Sequence, residues 1–174
     1  MSRDGVSRSS KRIIRVTPTL DTSAYANNDV FFNSTEIPRA VIEKGGCSKL
    51  LGLTILNEDD VAHDFDLIFM QVSSDLGTIN DAVGSNSKWT NALAKAAKVL
   101  GVINIDWSQN NNDFVNNLIY TQGSGGGPNT AGEGIPFLLQ AESDSTSVYV
   151  AAVSRGGTPT CAADDYELIL HIED

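Results

Sequence analysis

The stretch KLLGLTILNEDDVAHDFDLIFMQV, residues Lys49–Val72, decides the fold class. It contains two apolar runs rich in β-branched residues, Lys49–Asn57 and Phe65–Val72, on either side of the acidic turn EDDVAHD. Runs of this length bounded by turn residues are typical of buried β-strands rather than helices. We therefore predict two strands that pair with each other across the turn.

Shorter runs of the same kind recur along the chain, separated by turns rich in Gly, Asn and Asp. The further predicted strands are Arg12–Val16, Val30–Phe32, Arg39–Glu43, Val102–Trp107, Phe114–Thr121, Ile135–Gln140, Ser147–Ser154 and Tyr166–Ile172. The cluster QNNND, Gln109–Asp113, is predicted to be a turn, and Gly123–Gly134 a loop. Because such strands do not alternate with helices, the spacing favours a mainly β, antiparallel β-sandwich or jelly roll over a parallel α/β sheet.

One segment, Asn91–Leu100, has the composition and apolar spacing of an amphipathic helix. Thr90 or Asn91 can cap its start, and Gly101 is expected to end it. The predicted fold is thus a β-sandwich with one short helix and an extended N-terminal arm.

The chain has 174 residues with a formal net charge of -10, which fits one domain large enough to hold a core. No apolar run approaches the roughly 18–20 residues of a membrane span. The N-terminus lacks the apolar centre of a secretory signal, so synthesis in a reducing compartment is expected. Under those conditions Cys47 and Cys161 are predicted to be free thiols.

The charge is unevenly distributed. The first fifteen residues contain five cations and the single carboxylate Asp4, so the remainder carries a formal charge of -14. We divide the chain into a basic arm, residues 1–16, and a β-sandwich domain, residues 17–174. Such an arm can be a solvated tail, or it can bind an acidic neighbouring protein, nucleic acid or another copy of the chain. The predicted contact residues are Arg3, Arg8, Lys11, Arg12 and Arg15.

No catalytic signature is present. The chain has only two histidines, it has no G-x-S-x-G motif, and the glycine-rich loop lacks the lysine of a phosphate-binding loop. We predict a non-enzymatic protein without a cofactor.

The densest polar cluster is the acidic turn between the two quoted strands, with Glu58, Asp59, Asp60, His63, Asp64 and Asp66. Its oxygens could hold Ca²⁺, but the turn lacks the glycine and terminal glutamate of an EF-hand. We predict a solvated turn and no metal.

Three stretches carry a family resemblance: RVTPTLDTSAYANNDVFFNSTEI (Arg15–Ile37), LLGLTILNEDD with DLIFMQVSSDLGTINDAV, and GIPFLLQAESDSTSVYVAAVSRGGTPT (Gly134–Thr160). They resemble small virion structural proteins of tailed bacteriophages, and the resemblance extends from Arg12 to Ile172. The Arg-rich N-terminus and the insertions NNNDFVNN and GSGGGPNTAGEG depart from that family's pattern.

The resemblance implies a capsid decoration or cement protein on the virion surface, assembled in the host cytoplasm. Its partners would be the major capsid protein and further copies of itself, as a dimer or trimer. The acidic body makes nucleic acid an unlikely partner. The arm would contact the capsid, with the loops 74–87 and 123–134 as further candidates. Deletion of residues 1–15 should then weaken attachment without unfolding the body.

Two other roles on the virion remain open. The chain could be a tail, neck or baseplate subunit. It could also be a displayed glycan- or receptor-binding module, in which Trp89 or Trp107 would stack against a sugar.

Overall fold

The computed structural model describes residues 10–59, 61–85, 89–114, 117–123 and 135–174. These residues form two antiparallel β-sheets and a short helix, as the mainly β prediction requires. The strands are β1 (Lys11–Val16), β2 (Val30–Ile37), β3 (Cys47–Asn57), β4 (Phe65–Met70), β5 (Val99–Ile105), β6 (Asn111–Phe114), β7 (Asn117–Gly123), β8 (Phe137–Gln140), β9 (Val148–Ser154) and β10 (Tyr166–Glu173). The helix α1 spans Asn91–Ala97, and a single helical turn, α2, spans Trp107–Asn110.

The larger sheet has the strand order β1-β10-β3-β7-β6, and the smaller sheet has the order β2-β9-β4-β5. The long strand β3 has two partners along one side, since β8 pairs with Cys47–Leu50 and β7 pairs with Gly52–Asn57. Strand β10 pairs with its other side. The chain passes from one sheet to the other after β1, β2, β3, β5, β8 and β9.

The predicted pairing of the two strands that decide the fold class is wrong. Strand β3 lies in the larger sheet and β4 in the smaller one, where β4 pairs with β9 and β5. The turn between them is organised by the buried side chain of Asn57, which donates to the carbonyl oxygen of Val61 and accepts from the amide of Asp59. The connection therefore leads from one sheet to the other instead of closing a hairpin.

The core lies between the sheets. Along β10 buried and half-buried residues alternate, which is the pattern of a strand with one face on a core. Leu168 and Leu170 on this strand join Leu53 of β3, and they belong to the same buried cluster as Leu67 and Val150 of the smaller sheet. The two sheets thus share one apolar interior.

Aromatic rings fill one end of this interior around Phe31. Its ring centroid lies 4.9 Å from those of Phe65 and His63, 5.0 Å from that of Tyr25 and 5.2 Å from that of Tyr166. The Tyr25 hydroxyl donates to the carbonyl oxygen of Phe31 at 3.0 Å, so the buried phenol has the partner it needs.

Three local predictions differ from the structure. Residues 39–43 form turns and bends rather than a strand, with Arg39 at a φ of 55° and the Val41 amide bonded to the Thr146 carbonyl. The predicted turn at 109–113 contains the end of α2 and most of β6. Thr90 caps α1 as predicted, but Lys98 in the left-handed conformation ends the helix before Gly101.

Both cysteines are free, as predicted: Cys47 is exposed and Cys161 is buried. Within the described part of the chain, no helix is both long and apolar enough to span a membrane.

Candidate functional site

Three of the five predicted contact residues lie on β1, at one edge of the larger sheet. Strand β1 is paired with β10 along its length, from Lys11 opposite Glu173 to Val16 opposite Leu168. Residues 11–16, predicted to belong to the basic arm, are therefore an edge strand of the sandwich. Arg3 and Arg8 lie outside the described residues.

Each of the three cations on β1 has an acidic partner near the C-terminal end of the described chain. Lys11 Nζ lies 3.9 Å from Glu173 Oε1, and Arg15 Nη1 lies 2.5 Å from Glu167 Oε2. Both cations are exposed, so solvent screens these pairs strongly. The Arg12 pair with Asp174 is instead half-buried, with a shortest distance of 2.6 Å.

Arg12 joins three segments of the protein. Its Nε and Nη2 donate to the two carboxylate oxygens of Asp174 at 2.9 and 2.6 Å. Its Nη2 also donates to the Ala40 carbonyl at 3.2 Å, and its Nη1 donates to the Arg39 carbonyl. The planar guanidinium suits such a forked arrangement. Arg12 therefore fixes β1 to the residues after β2 and to the end of β10.

We predict a measurable coupling between Arg12 and Asp174. In a double-mutant cycle with Arg12→Ala and Asp174→Ala, unfolding in urea should give an interaction energy of about 1–2 kcal/mol, because the pair is forked and half-buried. The matched control is Lys11→Ala with Glu173→Ala, a longer and more exposed pair, with an expected coupling below about 0.5 kcal/mol. Equal coupling in the two cycles would contradict the prediction.

An open groove of about 540 Å³ lies on the outer face of the larger sheet beside β1. Its position follows from a bulge in β3: Leu50 pairs with Ile172 and Gly52 with His171, so Leu51 is left without a partner on β10. Gly52 also pairs with Gly123. Ile13, which also lines the groove, is 63% exposed. The groove is lined by Lys11, Ile13, Leu51, Gly52, Thr121 and His171, among others.

The acidic turn does not form one cluster. Asp64 Oδ1 accepts from the Trp107 amide at 3.0 Å, and Asp66 Oδ2 accepts from Arg155 Nε at 2.6 Å. These carboxylates bind protein groups at the corner of the smaller sheet. Asp60 lies outside the described residues.

Asp59 belongs to a different group, with Cys161 and Asp165. Potential ligand atoms of these three residues lie within 4.8 Å of one another. Burial, together with the two neighbouring carboxylates, raises the pKa of the Cys161 thiol to about 12. The thiol therefore keeps its proton at neutral pH, and Asp165 already accepts from the Ala162 amide. We assign no metal to this group, because the closeness of these three side chains is the one observation that points to a ligand.

His63 is buried among the aromatic rings of the core, with 1% of its surface exposed. Neither ring nitrogen has a hydrogen-bond partner of normal geometry among the described residues, although the backbone of Gly156 lies beside the ring. Burial lowers the pKa of His63 to about 4. The imidazole is therefore neutral in the folded protein at neutral pH.

We predict that His63 makes the fold sensitive to acid. Between about pH 6.5 and pH 4 the unfolded chain binds a proton at His63 that the folded chain does not, so this residue lowers the free energy of unfolding as pH falls. The full loss should be about 3 kcal/mol below pH 4. Urea unfolding from pH 7.5 to 4.5 measures it.

The control is His63→Leu, whose unfolding free energy should depend less on pH in that window. Its absolute stability can differ without affecting the comparison, since only the change with pH is tested. Parallel pH curves for the two proteins would contradict the assignment.

The comparisons with known proteins identify no family. No protein-family model matches the chain, and no curated protein matches it at a significant level. The functional interpretation therefore depends on the strand order, the placement of charged residues and the sequence resemblance described above.

The two tryptophans do not offer an exposed stacking platform. Trp107 is 1% exposed, and its ring centroid lies 5.6 Å from that of Tyr120, so it cannot stack against a sugar as the glycan-binding alternative required. Trp89 is half-buried and packs against the small apolar cluster that contains Ala97.

The first of the two loops proposed as contacts is held tightly to the body. Asn33 of β2 donates to Asp75 Oδ1 at 2.7 Å and to the Gly77 carbonyl at 2.8 Å, and its own oxygen accepts from the Leu76 amide. Residues 86–88 of this region and residues 124–134 of the second loop lie outside the described residues.

Proposed function

We propose that the chain is a non-enzymatic structural protein of a tailed-phage virion, and more specifically a decoration or cement protein that stabilises contacts between capsid subunits. The observation that carries the proposal is the strand order. Eight strands form two four-stranded layers, β1-β10-β3-β7 and β2-β9-β4-β5, and the chain crosses repeatedly between them. We interpret this order as a jelly roll, with β6 and β8 added to the larger sheet.

Jelly rolls of eight strands occur in viral capsid proteins, lectins and cupins. A fold alone does not determine function, so the choice among these classes needs a second argument. The stretches Arg15–Ile37 and Gly134–Thr160 resemble phage virion proteins, and this favours a virion role. The burial of Trp107 removes one of the residues on which a sugar-binding role depended.

The positions of the two histidines support a non-enzymatic role. His63 lies inside the aromatic core, whereas His171 lies opposite Ile13 on the outer face of the larger sheet. They therefore do not combine into a metal or acid–base centre of the kind that histidines commonly build.

On a capsid, the sheet edge formed by β1 would contact the major capsid protein, and identical contacts would repeat with the symmetry of the shell. Each exposed ion pair contributes at most about 1 kcal/mol. Many tethered contacts nevertheless give strong attachment, because each contact forms at high effective concentration once its neighbours are in place. The acidic body disfavours binding to nucleic acid.

The test is to count and locate the chain in purified particles of the virus that encodes it, by quantitative mass spectrometry and cryo-electron microscopy. We expect on the order of hundreds of copies on the shell, in fixed ratio to the major capsid protein. A few copies at one vertex or along the tail would instead identify a neck or tail subunit. Absence from the particle would overturn the virion role.

A further inference from the structure

Strand β1 lies at an open edge of the larger sheet. Among the described residues it pairs with β10 alone, and no other described backbone group bonds to the backbone of residues 11–16. In an antiparallel pair, alternate residues direct their N–H and C=O groups away from the partner strand. The outer edge of β1 therefore presents unpaired backbone donors and acceptors, which can template a further strand.

A second groove, of about 440 Å³, runs beside this edge between β1 and the turn that follows β2. It shares Arg12 and Ile13 with the lining of the groove on the outer face. Its lining combines apolar and cationic side chains and consists of Arg12, Ile13, Ile14, Arg15, Pro38 and Arg39.

The charges along the groove are positive. Arg12 is held by Asp174, and Arg15 meets Glu167 at an exposed position. Arg39 forms no ion pair with another described residue, and its side chain lies on the exposed turn. Guanidinium groups match the two oxygens of a carboxylate, so acidic side chains complement this lining.

We propose that the outer edge of β1 accepts an extended acidic segment of a partner protein as an additional antiparallel or parallel strand. Backbone hydrogen bonds to β1 supply affinity, and carboxylates facing Arg15 and Arg39 supply selectivity. A second copy of β1 fits less well, because pairing two such strands places cations opposite cations. The inference deepens the proposed function, since it names the chemistry of the partner.

The test uses the full chain and a defined probe: a fluorescent six-residue peptide of alternating glutamate and valine, blocked at both ends, with fluorescence anisotropy as the readout. A peptide of alternating lysine and valine is the charge control. We expect the acidic peptide to bind and the basic peptide not to bind. Arg39→Glu should weaken binding by about tenfold or more, since it replaces an attractive charge with a repulsive one.

The matched control is Lys95→Glu, the same kind of charge reversal on the exposed surface of α1, which should leave peptide binding unchanged. Thermal unfolding of each variant checks that the fold is intact. Arg39→Glu is preferred to a change in β1 itself, because Arg39 lies outside the strand.

A third peptide separates strand addition from simple charge attraction. N-methylation of alternate residues keeps every carboxylate but removes backbone donors along one edge, so each of the two methylation patterns blocks one edge. At least one pattern should abolish binding. Binding of both methylated peptides as tight as that of the unmodified acidic peptide, or no binding by the unmodified acidic peptide, would overturn the inference. Neither result would affect the particle count that tests the virion role.

Discussion

Replacement of Phe31 by alanine is expected to lower the free energy of unfolding by about 3–5 kcal/mol. Phe31 is fully buried, and its ring contacts Tyr25, His63, Phe65 and Tyr166. Truncation leaves a cavity at the point where both sheets and the turn after β3 meet. Because folded domains are stable by only about 5–15 kcal/mol, this one change removes much of the total.

Urea denaturation followed by far-ultraviolet circular dichroism measures the loss. Leu138→Ala is the control, since Leu138 is a large apolar residue that is 59% exposed, and its replacement should change stability by less than about 0.5 kcal/mol. A loss below about 1 kcal/mol for Phe31→Ala would mean that the aromatic end of the core repacks around the cavity.

Removal of residues 1–16 is expected to unfold the domain or to lower its unfolding free energy by about 3–6 kcal/mol. The deletion removes the core contacts of Ile14 and Val16, and the burial of each side chain stabilises the fold by about 1.5–3 kcal/mol. It also leaves Asp174 without Arg12 and turns β10 into an edge strand. The expectation that residues 1–15 can be deleted without unfolding the body is therefore revised, because five of those residues belong to β1.

Deletion of residues 1–9 is the control that leaves β1 in place. Its unfolding free energy should match that of the full chain if residues 10–174 hold β1 by themselves, and among the described residues those contacts begin at Ser10, whose carbonyl accepts from the Asp174 amide. If the two deletions are equally stable, β1 contributes little to the fold. Binding of the shorter deletion to particles then separates the contribution of Arg3 and Arg8 from that of β1.

The positions of most strands could be predicted from local composition. The β3, β9 and β10 segments are apolar, β-branched and bounded by turn residues, and each lies within two residues of its predicted bounds. Helix α1 was predicted three residues too long, because the left-handed conformation of Lys98 has no marker in the sequence comparable to a glycine.

Strand pairing could not be predicted in the same way. An acidic turn of seven residues between two apolar strands suits both a hairpin and a crossing between sheets. What distinguishes them here is the buried hydrogen bonding of Asn57 and the burial of His63, which depend on residues far away in the sequence, such as Tyr166. The segment 39–43 has the composition of a strand. It forms turns instead, because it bonds to residues distant in the sequence, as the Val41 amide does to the Thr146 carbonyl.

Only part of the candidate site can be predicted from the sequence. The excess of cations near the N-terminus is visible in the sequence, but the acids that meet them, Glu167, Glu173 and Asp174, lie at the other end of the chain. Opposite charges on facing strands are a signal that sequence analysis can use. Arg39 carried no such signal, because its place beside β1 follows from the turn after β2 and not from its neighbours in sequence.

The pairing of β1 with β10 also has a consequence for the order of events during biosynthesis. Lys11 is among the first residues of the described chain to leave the ribosome, yet its partner Glu173 is made more than 160 residues later. At the roughly 5–20 residues per second of translation, β1 waits many seconds with both edges open. Closing such a distant pair is entropically slow. During this interval the arginines and lysine of β1 can protect the nascent chain from aggregation. Charged side chains on an unpaired strand disfavour its pairing with a neighbouring polypeptide.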